Sequence, residues 1–144
     1  MSILSSIAKP DDRSIICTIT GDAGLGKTSL ASTFPSPIFI RAEDGLQAVP
    51  SESRPDAFPL LSNTDQLWEQ LTALIKEDHK YKTLVVDSVT QLDTLFTNYI
   101  VDTDLKKPKS IAQALGGYGA GFQALSSLHE IGRASCRERV SSPV

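Results

Sequence analysis

The stretch GDAGLGKTSL, Gly21–Leu30, constrains this chain more than any other. Gly21, Gly26, Lys27 and Thr28 satisfy the spacing G-x-x-x-x-G-K-[ST]. Each position has a physical task. The glycines let the backbone turn tightly and point its N–H groups inward, which makes a nest for an anion, and Gly24 adds room within it. A helix opening at Lys27 aims the positive end of its dipole at the same point. Lys27 supplies a compact cation for β- and γ-phosphates, and the Thr28 hydroxyl suits Mg²⁺. The binding segment therefore comprises Gly21, Asp22, Ala23, Gly24, Leu25, Gly26, Lys27, Thr28 and Ser29.

Such a loop belongs between a strand and a helix, so its flanks constrain the fold. SIICTIT, Ser14 to Thr20, is β-branched and almost uniformly apolar, which predicts a strand covered on both faces, as in a parallel sheet. Lys27 to Thr33 reads as a short helix ended by Pro35 and Pro37. A second strand, Ile38 to Arg41, runs into the acids Glu43 and Asp44 and a glycine. The stretch holding Pro50, Pro55 and Pro59 reads as a loop. Asn63 or Thr64 can cap the next helix, whose buried stripe is Leu67, Trp68, Leu71, Leu74 and Ile75. Trp68 reads as core rather than as a platform for a nucleobase. A third strand covers Thr83 to Asp87. VTQLDTLFTNYIV then predicts a helix with Leu92, Leu95, Phe96 and Tyr99 on one side. A charged loop and the flexible turn LGGYGAG lead to a last helix from Phe122 to His129. Strands alternating with helices imply right-handed parallel crossovers and a layered α/β domain.

Composition narrows the function classes. A net charge of −3 argues against a surface coated for nucleic acid. Lys106, Lys107 and Lys109 form a local basic cluster that reads as a solvated loop. There is no apolar run near the ~18 residues a membrane span needs. The start MSILSSIAKPDD lacks the cationic and apolar regions of a secretory signal. Two cysteines, Cys17 and Cys136, offer neither metal spacing nor a disulfide framework. Cys17, in its apolar run, reads as a small buried hydrophobe, and a reducing cytoplasm fits this usage.

Two sets of carboxylates qualify as partners of the loop. Asp87 ends an apolar strand, where the second magnesium-organising acid of phosphate-loop enzymes stands. Its alternative role is to cap the following helix. Ser88 comes next, so the branch with a glutamate directly after that aspartate is disfavoured. Glu43 is then the candidate catalytic base and Asp44 the backup. The alternative for both is turn chemistry, since EDG suits a turn.

LVVDSV resembles the strand of RecA-type recombinases that ends in the magnesium aspartate, and FIRAED resembles the strand that ends in their catalytic glutamate. With GDAGLGKTSLASTFPSPIFI, the order and spacing resemble phage-encoded RecA-like ATP-binding proteins with a reduced core, over roughly Ile15 to His129. The resemblance implies a parallel-sheet P-loop NTPase core that binds ATP with Mg²⁺ and hydrolyses it. Catalytic roles fall to Glu43 and Lys27, and metal-holding roles to Thr28 and Asp87. It further implies a role beside single-stranded DNA in recombination or annealing, assembly as a ring or filament, and the cytoplasm of a bacterial host. By the same analogy GGYGAG and the nearby lysines contact DNA or a neighbouring subunit, with Tyr118 or Phe122 stacking on a base. Two other readings stay open: a non-catalytic ATP-sensing module, and a small-molecule or nucleotide kinase.

EIGRASCRERV, Glu130 to Val140, lacks the apolar stripe of the helix before it. It matches the translation of a common sequencing adapter, so residues 130–144 are expected to be a non-native tail, with residues 1–129 a partial RecA-like domain. On that expectation the sheet is truncated after its third core strand. An arginine finger and a γ-phosphate sensor are missing, so turnover by this chain alone is weak or absent. Marginal stability follows, and a cooperative melt well above 50 °C would contradict it.

Overall fold

In the computed structural model, residues 15–138 are described, with side chains as far as residue 130. Its sheet is built around PIFIR. This strand, β1 (Pro37–Arg41), buries Ile38, Phe39 and Ile40 almost completely. A continuous apolar run is what a strand covered on both faces requires. β2 (Asp56–Ala57) lies on one side of β1 and β3 (Thr83–Asp87) on the other, all parallel, in the order β2-β1-β3. The register sets Phe39 opposite Val85, Ile40 opposite Val86 and Arg41 opposite Asp87.

Alternation along β1 divides the core in two. Phe39 points into a cluster with Ala31, Leu46 and Val49, formed by the short helix α1 (Lys27–Ser32) and the 3₁₀ turn Gly45–Ala48. Ile40 points the other way, into Leu61, Leu67, Leu71, Leu92 and Phe96. That face is covered by three helices: α2 (Thr64–Lys76), α3 (Val89–Thr103) and α4 (Ala120–Glu138). The result is the layered α/β parallel-sheet arrangement expected from the strand and helix pattern.

Helix α2 begins where the sequence indicates. The Asn63 side chain accepts from the Gln66 amide at 2.9 Å, satisfying one of the free N–H groups of the first turn. Trp68 is half-buried and stacks on Phe96 with ring centroids 6.0 Å apart, so it belongs to the core. On α3 the buried stripe is Leu92, Phe96 and Ile100. Tyr99, expected on that side, is exposed. The stripe follows the i, i+4, i+8 line, along which α2 and α4 pack.

Three expectations need correction. Residues 15–20 form no strand, and Ile15, Ile16 and Cys17 are exposed; Ile19 makes the contact of this run with the Phe39 cluster. β-branched composition favours a strand only where a neighbour offers a ladder and a face to pack on. Among the described residues, β3 pairs with β1 alone. Ser14, the first residue of that expected strand, lies outside the described residues. The proline-rich loop contains the 3₁₀ turns Gly45–Ala48 and Ser51–Ser53 as well as β2, which is held through its register with β1. The last helix starts at Ala120, two residues before Phe122, and continues past His129 to Glu138. His129 anchors it: the ring packs edge-on to Phe96 at 4.9 Å, and Nε2 lies 3.0 Å from Asp93 Oδ1.

The segment between α3 and α4 is tied down by Asp104. Its largely buried carboxylate accepts from the Lys106 amide at 2.9 Å and the Leu115 amide at 2.5 Å. These two donors, Lys106 first, hold its pKa below the usual carboxylate range. Lys106, Lys107 and Lys109 are exposed on this segment, as are Leu105, Leu115 and Tyr118.

Candidate functional site

Residues 21–26 form the turn that the glycine spacing demands. Gly24 and Gly26 have φ of 81° and 80°, a left-handed conformation that a side chain disfavours. Gly26 is the residue before α1, and its carbonyl accepts from the Leu30 amide at 2.9 Å. Asp22, Ala23, Gly24 and Leu25 complete an exposed turn, closed by a long 3.4 Å bond from the Leu25 amide to the Asp22 carbonyl. Lys27 Nζ donates to the carbonyls of Gly21 at 2.7 Å and Asp22 at 2.8 Å. The ammonium therefore sits against the loop that its own backbone makes. Ser29 follows on the exposed side of α1, its carbonyl accepting from the Ser32 hydroxyl.

One contact joins this loop to the sheet. Thr28 Oγ1 donates to Asp87 Oδ2 at 2.7 Å across 59 positions of sequence. The contact is half-buried, and one partner is a carboxylate, so it belongs to the stronger class of hydrogen bonds. Asp87 is free to make it because capping of α3 falls to Ser88. The Ser88 hydroxyl accepts from the Gln91 amide at 3.4 Å, and its carbonyl accepts from the Leu92 amide at 3.0 Å.

The ends of β1 and β3 are stitched together. The Asp87 carbonyl accepts from the amides of Ala42 at 2.8 Å and Glu43 at 3.2 Å. This fixes the Glu43 backbone at the sheet edge that carries Asp87. In parallel α/β sheets the carboxyl ends of the strands form the ligand-binding edge. The Glu43 side chain is exposed and has no hydrogen-bond or ion-pair partner among the described residues. Asp44 differs. Its Oδ1 accepts from Arg41 Nη1 at 3.2 Å and its Oδ2 from Gln47 Nε2 at 3.4 Å, while Arg41 Nε donates to the Phe58 carbonyl. Asp44 thus serves the turn chemistry that EDG suggests, and Glu43 is the less encumbered of the two acids.

Gly45 is a residue of this site that sequence reasoning passed over as an ordinary turn glycine. A Cβ there would lie 3.0 Å from Asp87 Oδ2 and 3.2 Å from Thr28 Oγ1. Its signal was its place directly after two acids at a strand end, but the contact is tertiary and the string does not show it.

The donor chemistry fits magnesium. Thr28 and Asp87 offer hard oxygen ligands, and Mg²⁺ commonly takes only one or two protein groups, completing its shell with phosphate oxygens and water. Among the described residues no cluster of three His, Cys, Asp or Glu side chains could hold a metal alone. Two surface hollows of about 380 and 280 Å³ lie along α2 and between α3 and α4, and neither includes a residue of the loop. The turn Gly21–Gly26 is exposed along its whole length.

No helix among the described residues is long and apolar enough to cross a membrane. A family model described as "AAA domain" matches residues 13–130. Neither a curated protein nor a solved structure matches the chain. The family match spans the loop, both acid-bearing strand ends, α2, α3 and the first half of α4, and the chain belongs to the AAA domain family of P-loop ATPases.

Proposed function

We propose that this chain binds Mg·ATP at Gly21–Ser29 and by itself hydrolyses it only weakly, with Thr28 and Asp87 holding the metal and Glu43 acting as the base. The observation that carries the reading is the 2.7 Å bond between Thr28 and Asp87, which sets two hard oxygen donors side by side at the foot of the glycine turn. Lys27 would trade its two carbonyl contacts for β- and γ-phosphate oxygens. Inward amides of the loop would share the remaining charge. Bound magnesium supplies neutralisation of charge on the phosphate oxygens. Glu43, tethered through its amide to the Asp87 carbonyl, would orient the attacking water and accept its proton. Phosphoryl transfer asks little covalent chemistry of a protein, so positioning and charge provide most of the rate.

A Glu43→Gln variant tests this. Loss of a general base costs roughly 10²–10⁴-fold in turnover, while ATP affinity should stay within about twofold of the unaltered protein. Equal turnover in the two proteins would remove Glu43 from the role. Binding without turnover in the unaltered protein would favour a nucleotide sensor.

The likeness to RecA-type proteins extends the proposal to a phage protein in a bacterial host cytoplasm. It would act as a ring or filament beside single-stranded DNA in recombination or annealing. Exposed Lys106, Lys107, Lys109 and Tyr118 on one segment support that surface, since cations and aromatic faces are what a single strand engages. Salt-sensitive binding of a labelled oligonucleotide, weakened by Tyr118→Ala, is the expected result. Residues 130–144 are proposed to be foreign to the domain; a genomic reading of the locus that encodes them in place would refute this.

A further inference from the structure

We propose that Gly45 is a positioning residue of the metal site: its bare Cα keeps the Thr28–Asp87 oxygen pair, and the water shell of a magnesium ion held there, unobstructed. The inference rests on the Mg·ATP reading above. Gly45 opens the 3₁₀ turn directly after Glu43 and Asp44. A Cβ built on it would meet Asp87 Oδ2 at 3.0 Å, Thr28 Oγ1 at 3.2 Å and Asp87 Cγ at 3.8 Å. The first two atoms are the partners of the 2.7 Å bond. The methyl would press on both metal-facing oxygens at once, closer than side-chain carbons ordinarily approach.

Backbone conformation does not explain the glycine. Its φ lies outside the left-handed range where glycine is needed, unlike Gly24 and Gly26. Alanine is therefore allowed by the main chain, and the obstruction is local to the two oxygens. The main chains of Thr28 and Asp87 are held, by α1 and by the amides of Ala42 and Glu43, so either oxygen can give way only by side-chain rotation, which pulls apart the 2.7 Å bond between them. Magnesium tolerates little distortion of its octahedral shell and keeps several waters, so a methyl against its ligands disturbs metal binding more than phosphate binding.

The test compares the unaltered protein, Gly45→Ala and Gly45→Ser, with Gln47→Ala as a neighbouring control. Affinity for a fluorescent ATP analogue is measured in Mg²⁺ and in EDTA, with circular dichroism reporting the fold. The expected result is that both Gly45 variants keep their EDTA affinity within about twofold and lose the magnesium-dependent gain by about tenfold, which is about 1.4 kcal/mol. Gln47→Ala should keep the gain. A full gain in Gly45→Ala overturns the inference and leaves the nucleotide reading standing. No nucleotide affinity, or no gain, in the unaltered protein overturns both. A second measurement needs no variant. With Mn²⁺·ATP bound, the ¹⁵N-glycine amide signal of Gly45, beside Asp87 Oδ2 and Thr28 Oγ1, should broaden away. A sharp Gly45 signal at saturating Mn²⁺·ATP contradicts the inference.

Discussion

Thr28→Val removes the hydroxyl that links the phosphate loop to the sheet and keeps nearly the same shape. The Thr28–Asp87 bond has a charged acceptor and is half-buried. Hydrogen bonds to charged groups contribute ~1.5–3 kcal/mol, and water reaching this site places the value near the low end, about 1–2 kcal/mol. For a chain of this size that is a fall in Tm of roughly 4–8 °C. Thr28→Ser separates the hydroxyl from the methyl. It retains the donor and loses a half-buried methyl, about 0.4 kcal/mol by area, so it should melt within about 2 °C of the unaltered protein. Thermal unfolding followed by circular dichroism measures both. The same proteins are then titrated with ATP in Mg²⁺ and in EDTA. The valine variant should lose about tenfold of the magnesium-dependent affinity and the serine variant little, because only serine retains the oxygen that the proposed magnesium site uses. Equal stability for valine and serine variants, together with equal magnesium dependence, would refute the coupling argued here.

Three further outcomes follow from the packing. Phe96 is fully buried between Trp68 and His129, so Phe96→Ala should cost about 3–5 kcal/mol, read as a shifted urea midpoint at unchanged slope. Asp104 titrates below its ordinary value because two backbone amides donate to it; its contribution is present above the unfolded carboxylate pKa and is lost as pH falls through the lower folded one. Amide exchange at Lys106 and Leu115 should therefore remain slow at pH 5 and rise in Asp104→Ala relative to the rest of the chain. Asp56 is likewise lowered, by Tyr81 and then Lys80, and Tyr81→Phe should move its carboxyl titration back up, seen by ¹³C NMR.

What the sequence disclosed depended on how local each feature is. The loop from Gly21 to Ser29 is a matter of spacing within a few residues, and the strand Thr83–Asp87 is a short apolar run bounded by polar residues. The start of α2 at Asn63 is equally local, a capping side chain three residues before its donor. Residues 15–20 have the composition of a strand, but a ladder needs a partner that composition cannot supply. β2 went unseen for the opposite reason: two residues between prolines have no signature of their own and become a strand only beside Ile38 and Phe39. The assignment of Asp87 to the loop and of Ser88 to the cap turns on adjacent residues that can both cap a helix, and tertiary geometry divides the roles. Gly45 shows the same limit at the site itself.

The most direct test of the nucleotide reading is calorimetric titration of the chain with ATP in excess Mg²⁺, alongside Lys27→Ala. Among the described residues Lys27 Nζ hydrogen-bonds only to two carbonyls of its own loop, so the variant should fold as before. Loss of a charged hydrogen-bonding group worth ~1.5–3 kcal/mol predicts affinity weaker by about 10–150-fold. Equal affinity of the two proteins for Mg·ATP, or none in either, would contradict a triphosphate held by residues 21–29.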